Sequence, residues 1–235
     1  MKISLKNILS ISLSLLLISF YSCSSYKNGL NVLYVYDISG SFHTYSLGEC
    51  IKTGKKIFKE LSKTNIKPQI HQTNTISELS VNAGGNCSTT IIQGDILDTK
   101  EDFQYTIDNC LDKIAAQEPA SSTDISGALL NASLSLSGDE YLGKVLIIFS
   151  DFKETANLNI QSNLEDIIVI GIQDISYISH GKGEYNNLDL YKNNFTTTLL
   201  NAGCKQSNIK IFPLQSASLN QTPIINFILS RLMNG

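Results

Sequence analysis

The 235-residue chain contains no tryptophan, only four prolines and no surplus of positive charge. Its 18 lysines and arginines are outnumbered by 21 aspartates and glutamates, giving a formal charge of −3. A basic footprint for phosphates is therefore missing, and nucleic acid is not the expected partner. No self-similarity at a period of about 20–50 residues points to stacked repeats. The sequence has no GxxxxGK[ST] phosphate loop, no GxSxG elbow and no HExxH pair, so the common signatures of nucleotide hydrolysis, acyl hydrolysis and zinc proteolysis are absent. No two cysteines stand at CxxC spacing, and His43, His71 and His180 are scattered, which leaves a Cys/His zinc site without support.

What is present begins with the N-terminus. Lys2 and Lys6 precede Ile8–Phe20, which is apolar apart from a few serines. That run is shorter than the roughly 20 residues of a spanning helix and reads as a secretory leader. It ends in Phe20-Tyr21-Ser22-Cys23. A small residue followed by cysteine at this distance resembles a bacterial lipoprotein processing site, which implies that Cys23 is lipidated and becomes the new N-terminus. An ordinary cleaved signal peptide or an uncleaved anchor helix is the alternative. One acyl chain holds weakly, so a stable anchor needs more than one. The chain divides into a leader at 1–23, a tether at 24–30 and one domain at 31–235. With 42% hydrophobic residues that domain can build a sizeable core.

With Cys23 taken by lipid, Cys50, Cys87, Cys110 and Cys204 remain. An even count in an exported chain permits two disulfides in three connectivities. Cys50 and Cys110 also lie on apolar helix faces and are equally readable as small buried residues.

The domain alternates strands with helices. Asn31–Asp37, Ile66–Gln72, Lys144–Phe149, Asp166–Gly171 and Asn208–Leu214 read as strands, and Ser77–Val81 with Ser88–Gln93 as a hairpin at the sheet edge. Thr44–Ser62, Thr99–Gln117, the stretch opened by Ser121–Asp124, Leu188–Ala202 and Thr222–Met233 read as helices. Leu47, Cys50, Ile51, Gly54, Ile57, Phe58 and Leu61 form one apolar stripe; Leu190, Phe195, Leu199 and Leu200 are the burial candidates of a later helix. Continuous apolar runs such as KVLIIF at 144–149 suit strands buried on both faces. The expected fold is α/β, a doubly wound, mostly parallel central sheet with helices on both faces.

The first strand runs into Asp37-Ile38-Ser39-Gly40-Ser41. One carboxylate and two hydroxyls at alternate positions thus lie just past a strand's C-terminal end, where open α/β sheets bind ligands. Oxygen donors of this type suit a hard cation. Asp151 follows the central strand, and Thr123 opens a helix after a polar loop.

Asp37-Ile38-Ser39-Gly40-Ser41 resembles the DxSxS motif of von Willebrand factor A domains. SSTDISGALL, with Thr123, resembles that family's second loop, and LIIFSDF, ending on Asp151, its third. The resemblance covers about Asn31 to the C-terminus. It implies a metal-ion-dependent adhesion site built from Asp37, Ser39, Ser41, Thr123 and Asp151. In the family the hydroxyls bind Mg²⁺ directly, with Mn²⁺ or Ca²⁺ as substitutes, and the Asp residues act largely through water. A remaining position accepts an Asp or Glu from a protein partner. Asp124 reads instead as a first-turn helix charge.

The function expected is therefore a non-enzymatic binding module, membrane-anchored through lipid in a bacterial cell envelope on its periplasmic or surface side. One alternative is a structural envelope lipoprotein stapled by a metal. The other is a Mg²⁺-dependent phosphatase-like hydrolase with Asp37 as nucleophile, although such enzymes want a second carboxylate where Ser39 stands. The leader reading is checked by fractionation. Cys23→Ala should move the protein from the membrane to the soluble fraction and abolish incorporation of labelled palmitate.

Overall fold

The computed structural model describes residues 27–66, 68–76, 91–92, 111–137, 141–153, 162–174 and 188–233. The leader with Cys23, the hairpin residues 77–81, 88–90 and 93, residues 99–110, and Cys87 lie outside them.

The strands are β1 (Lys27–Asp37), β2 (Pro68–Ile76), β3 (Ile91–Ile92), β4 (Tyr141–Ser150), β5 (Ile167–Gln173) and β6 (Ile209–Pro213). They form one sheet in the order β3-β2-β1-β4-β5-β6. All neighbours are parallel except β2 and β3, which pair antiparallel at the edge. The mostly parallel, doubly wound expectation is met.

β1 starts four residues earlier than its apolar run. Lys27, assigned to the tether from sequence, pairs with Tyr141 of β4. In the registered part, Val32 faces Val145 and Tyr36 faces Phe149. The Tyr36 and Phe149 rings stack with centroids 4.8 Å apart. Alternation along β1 sends Leu30, Val32, Tyr34 and Tyr36 to one side and Leu33 and Val35 to the other. Both sides are buried, so the strand lacks the polar alternation of a half-exposed one.

The helices are α1 (Gly40–Tyr45), α2 (Leu47–Leu61), α3 (Ile125–Ser135), α4 (Leu188–Asn201), α5 (Leu214–Leu219) and α6 (Thr222–Met233). One core packs α2, α5 and α6 against the Tyr36 face, through Cys50, Ile57 and Leu61, Leu214 and Ala217, and Ile224 and Ile228. The other packs α3 and α4 against the Leu33 face, through Ala128, Leu129 and Ala132, and Phe195 and Leu199. None of the helices in the described residues is long and apolar enough to cross a membrane.

Several expected boundaries change. The single helix over Thr44–Ser62 is two, since α1 begins at Gly40 and Ser46 lies between them with φ −119°. The strand expected at Ile66–Gln72 runs Pro68–Ile76, with proline at its first residue, where a missing N–H is tolerated. Leu214, expected to end the last strand, opens α5. Within 99–117 the described residues are helical over 111–115, and Leu111 and Ile114 are buried there as expected.

Leu190 and Leu200 were expected inside but are 51% and 41% exposed. Each stands five residues from buried Phe195, about 140° round the helix. The stripe that faces the sheet is Tyr191, Phe195 and Leu199.

Gly54 shows how closely α2 lies on the sheet. A Cβ there would run into the Tyr36 hydroxyl. Gly54→Ala should therefore cost about 1–3 kcal/mol as overpacking, read as a lower urea midpoint. Adding Tyr36→Phe, which removes the obstructing oxygen, should restore most of the loss.

Candidate metal centre at the sheet edge

Asp37 closes β1 and is fully buried. Its Oδ1 accepts the Ser39 backbone N–H at 2.8 Å, the bond by which an aspartate turns its own chain two residues on. Its Oδ2 accepts the Ser150 hydroxyl at 2.6 Å. The turn then passes through Gly40 at φ +23°. A Cβ at Gly40 would meet nothing within 4 Å, so the backbone angle, not space, is the reason for glycine.

This first loop is stitched to the second. Gly40 N–H donates to Ala120 C=O at 2.9 Å, and Ala120 N–H donates to Ile38 C=O at 2.9 Å. The pairing makes a parallel bridge between Ser39 and Ala120. Thr123 follows three residues later and is buried.

Thr123 does not cap α3. Asp124 is the N-cap, its side chain accepting the Gly127 N–H at 2.7 Å. Asp124, expected as a first-turn charge, instead stands one position earlier, as the cap itself. Its second oxygen, Oδ2, is buried and makes no hydrogen bond.

The third loop follows β4. Ser150 sits between the first and third loops, donating to Asp37 and accepting the Phe152 N–H at 3.0 Å on the same oxygen. Asp151 is 8% exposed, and its Oδ1 accepts the Lys153 N–H at 2.8 Å. Phe152 has φ +65°, the only positive value on a non-glycine among the described residues. A side chain there costs on the order of 1–3 kcal/mol and persists only where the surroundings hold it. Phe152 is held by Ser150 and by its ring, which stacks on Phe195 at 4.2 Å and lies over Gly171. A Cβ on Gly171 would come within 2.8 Å of that ring.

Burial and the neighbouring Asp151 push the Asp37 carboxyl up from 3.8 to about 7, burial being the larger cause. The hydrogen bonds from Ser150 and Ser39 work in the opposite sense without prevailing. Cys50 of α2 lies beneath, its thiol raised first by burial and then by Asp174, Asp37 and Glu49.

The structure thus brings Asp37 together with Ser39, Ser150 and Asp151, and ties the Thr123 segment to them through Ala120. Ser41 falls in the first turn of α1; its side chain is outside the described residues. His43 is half-buried, with its Nε2 lacking a hydrogen bond.

Sequence reasoning passed over Ser150 and Asp174. Asp174 follows β5, is buried, and donates its N–H to Ser150 C=O at 3.3 Å. The signal existed: Asp174, like Asp37 and Asp151, stands at the C-terminal end of a mostly apolar strand.

Of the cysteines considered for disulfides, Cys50 and Cys204 are instead free and buried. The Cys204 thiol donates to Ile167 C=O and is pushed up to about 11 by burial. For Cys50 the reading as a small core residue therefore applies, and Cys204, for which no burial was expected, is a buried core residue as well.

No family model and no curated protein matches the sequence. Solved structures do match its fold. A D319A mutant of the PilB minor pilin from Streptococcus sanguinis superposes with TM-score 0.57 and 12% identity, over 88% of this chain and 62% of that one. Proximal thread matrix protein 1 of the mussel byssus gives TM-score 0.53 and 14% identity, over 86% and 46%. A von Willebrand factor type A protein from Catenulispora acidiphila gives TM-score 0.50 and 11% identity, over 84% and 42%. The chain spans less than two thirds of each of these proteins. At such identities the likeness establishes the fold alone, a mostly parallel α/β sheet between two layers of helices.

The raised Asp37 carboxyl makes stability depend on pH in the absence of divalent cations. Its folded value of about 7 lies above the ordinary 3.8, so its contribution to stability is full below about pH 4 and is lost as pH rises through about 7. In EDTA the urea midpoint should fall between about pH 5 and pH 8, and Asp37→Asn should flatten that slope.

Proposed function

We propose that the chain is an exported, lipid-anchored binding module of a bacterial cell envelope that grips an aspartate or glutamate of a protein partner through Mg²⁺, with Mn²⁺ or Ca²⁺ as substitutes. Ser39, Ser41 and Thr123 would hold the cation, and Asp37 and Asp151 would orient its shell. The observation that carries this reading is the burial of Asp37 and Asp151 within electrostatic reach of each other at the ends of adjacent strands.

Two buried carboxylates in mutual repulsion form a place where a divalent cation lowers the energy of both. Among the described residues no three acidic, histidine or cysteine side chains converge into a metal cluster by themselves. The donor set therefore fits a cation only with hydroxyl help, which is what Ser39 and Thr123 offer. When bound, the cation supplies a hard Lewis-acid centre for a visiting carboxylate. Neutral hydroxyl donors leave much of its charge uncompensated, and a short charge-assisted contact follows. Likeness in fold to a minor pilin and to a byssus matrix protein supports a binding role by analogy alone.

The hydrolase alternative is disfavoured by Asp37 itself. The residue is fully buried, and each of its oxygens already accepts a hydrogen bond from within the domain. Neither is positioned as an exposed nucleophile.

The test is a pull-down from host envelope extract with wild type and Asp37→Ala, in Mg²⁺ and in EDTA, with melting curves alongside. Partner retention should depend on both Mg²⁺ and Asp37. Retention that survives EDTA and the substitution overturns the reading. A melting temperature that drops in EDTA while retention stays constant would favour the metal as a structural staple.

A further inference from the structure

Beside the third loop, between the start of α3 and the middle of α4, lies a cleft of about 130 Å³. Its apolar walls are Ile125, Phe152 and Phe195, all buried. Asn194, Thr198 and Lys153 also line it, and Lys153 is the one charged residue that does. We propose that this cleft is a side-chain subsite that takes one leucine- or phenylalanine-sized apolar residue of the partner, adjacent in its sequence to the acidic residue held at the metal centre. The inference rests on the function proposed above.

Size, continuity and charge support it. A cavity of about 150 Å³ lined by aliphatic and aromatic groups holds one benzene ring, so about 130 Å³ accommodates one such side chain. The walls continue the loops of the candidate centre. Phe152 directly follows Asp151, and Ile125 stands two residues after Thr123. Under this proposal, a segment whose carboxylate sits at the sheet edge would place its neighbouring residue at the cleft. Exposed Lys153 there favours an acidic segment over a basic one.

The cleft is also preorganised. The Phe152 ring is fixed between Gly171 and the Phe195 ring, and its left-handed backbone is held by the Ser150 hydroxyl. A wall that does not need ordering on association keeps more of the energy of the contact. Strain retained next to Asp151, where a glycine would relax it, suits a ring required at that place.

The probes are blocked tetrapeptides, Gly-Leu-Asp-Gly and Gly-Asp-Leu-Gly. Each is paired with a version carrying alanine for leucine and a version carrying asparagine for aspartate. They are titrated into ¹⁵N-labelled protein in Mg²⁺ and in EDTA. In Mg²⁺ at least one leucine peptide should bind about tenfold more tightly than its alanine counterpart, as burial of one aliphatic side chain implies. Amides of Phe195 and Thr198 should shift. Thr198→Trp, checked for folding by its melting curve, should fill the cleft, erase that preference and leave the alanine peptide's binding unchanged. Equal, Mg²⁺-dependent binding of leucine and alanine peptides overturns the subsite while leaving the metal reading intact. A leucine preference that persists with asparagine peptides and in EDTA supports an apolar subsite but overturns its coupling to the metal centre. Absence of binding by every peptide overturns the inference.

Discussion

The hydroxyl of Ser150 carries the architecture of the sheet edge. It donates to Asp37 at the end of β1 and accepts from Phe152 in the loop after β4. One oxygen therefore fixes the directions of two adjacent strand ends. The Asp37 carboxyl needs that contact because it is buried beside a second carboxyl, in a place where charge is costly. Its remaining acceptor is met by the turn through Ser39. That turn carries the chain into the ladder contact with Ala120, and so to the second loop. The three loops form one hydrogen-bonded assembly seated on the central strands.

The strands that position this assembly were legible because they are monotonous. LIIF in β4 and IIVI in β5 are buried on both faces, so the apolar signal is continuous through the middle of each strand. Asp37 and Asp151 stood out because each interrupts such a run. Asp174 interrupts one as well and went unread, since no motif pointed to it. The start of β1 was illegible for the opposite reason. Lys27, Asn28 and Gly29 carry no apolar pattern, and only the ladder to β4 makes them strand. α1 has no acidic first turn and no long stripe, so its signal is swallowed by the loop before it. Leu190 and Leu200 misled because hydrophobicity was weighed without helical phase. The disulfide expectation rested on an even count of cysteines; Cys50 and Cys204 instead occupy core positions beneath the sheet ends and beside β5.

The two layers of helices divide their work. α2, α5 and α6 pack a thick apolar layer in which Gly54 lets Tyr36 reach under the helix. α3 and α4 form a second, smaller layer, in which the start of α3 and the middle of α4 flank the third loop. The cleft and the strained Phe152 both belong to this second layer. The walls of the cleft, Ile125, Phe152 and Phe195, are at the same time part of the core that packs this layer on the sheet.

β1 has a polarity that reaches beyond packing. Its 11 residues enter at one rim and leave at the other, a climb of about 35 Å at the usual rise per strand residue. The polypeptide ahead of Lys27 joins the floor of the domain, while the acidic crown stands at the summit. Tension between the two would run lengthwise through β1, shearing its ladders to β2 and β4 together, not peeling them one bond at a time.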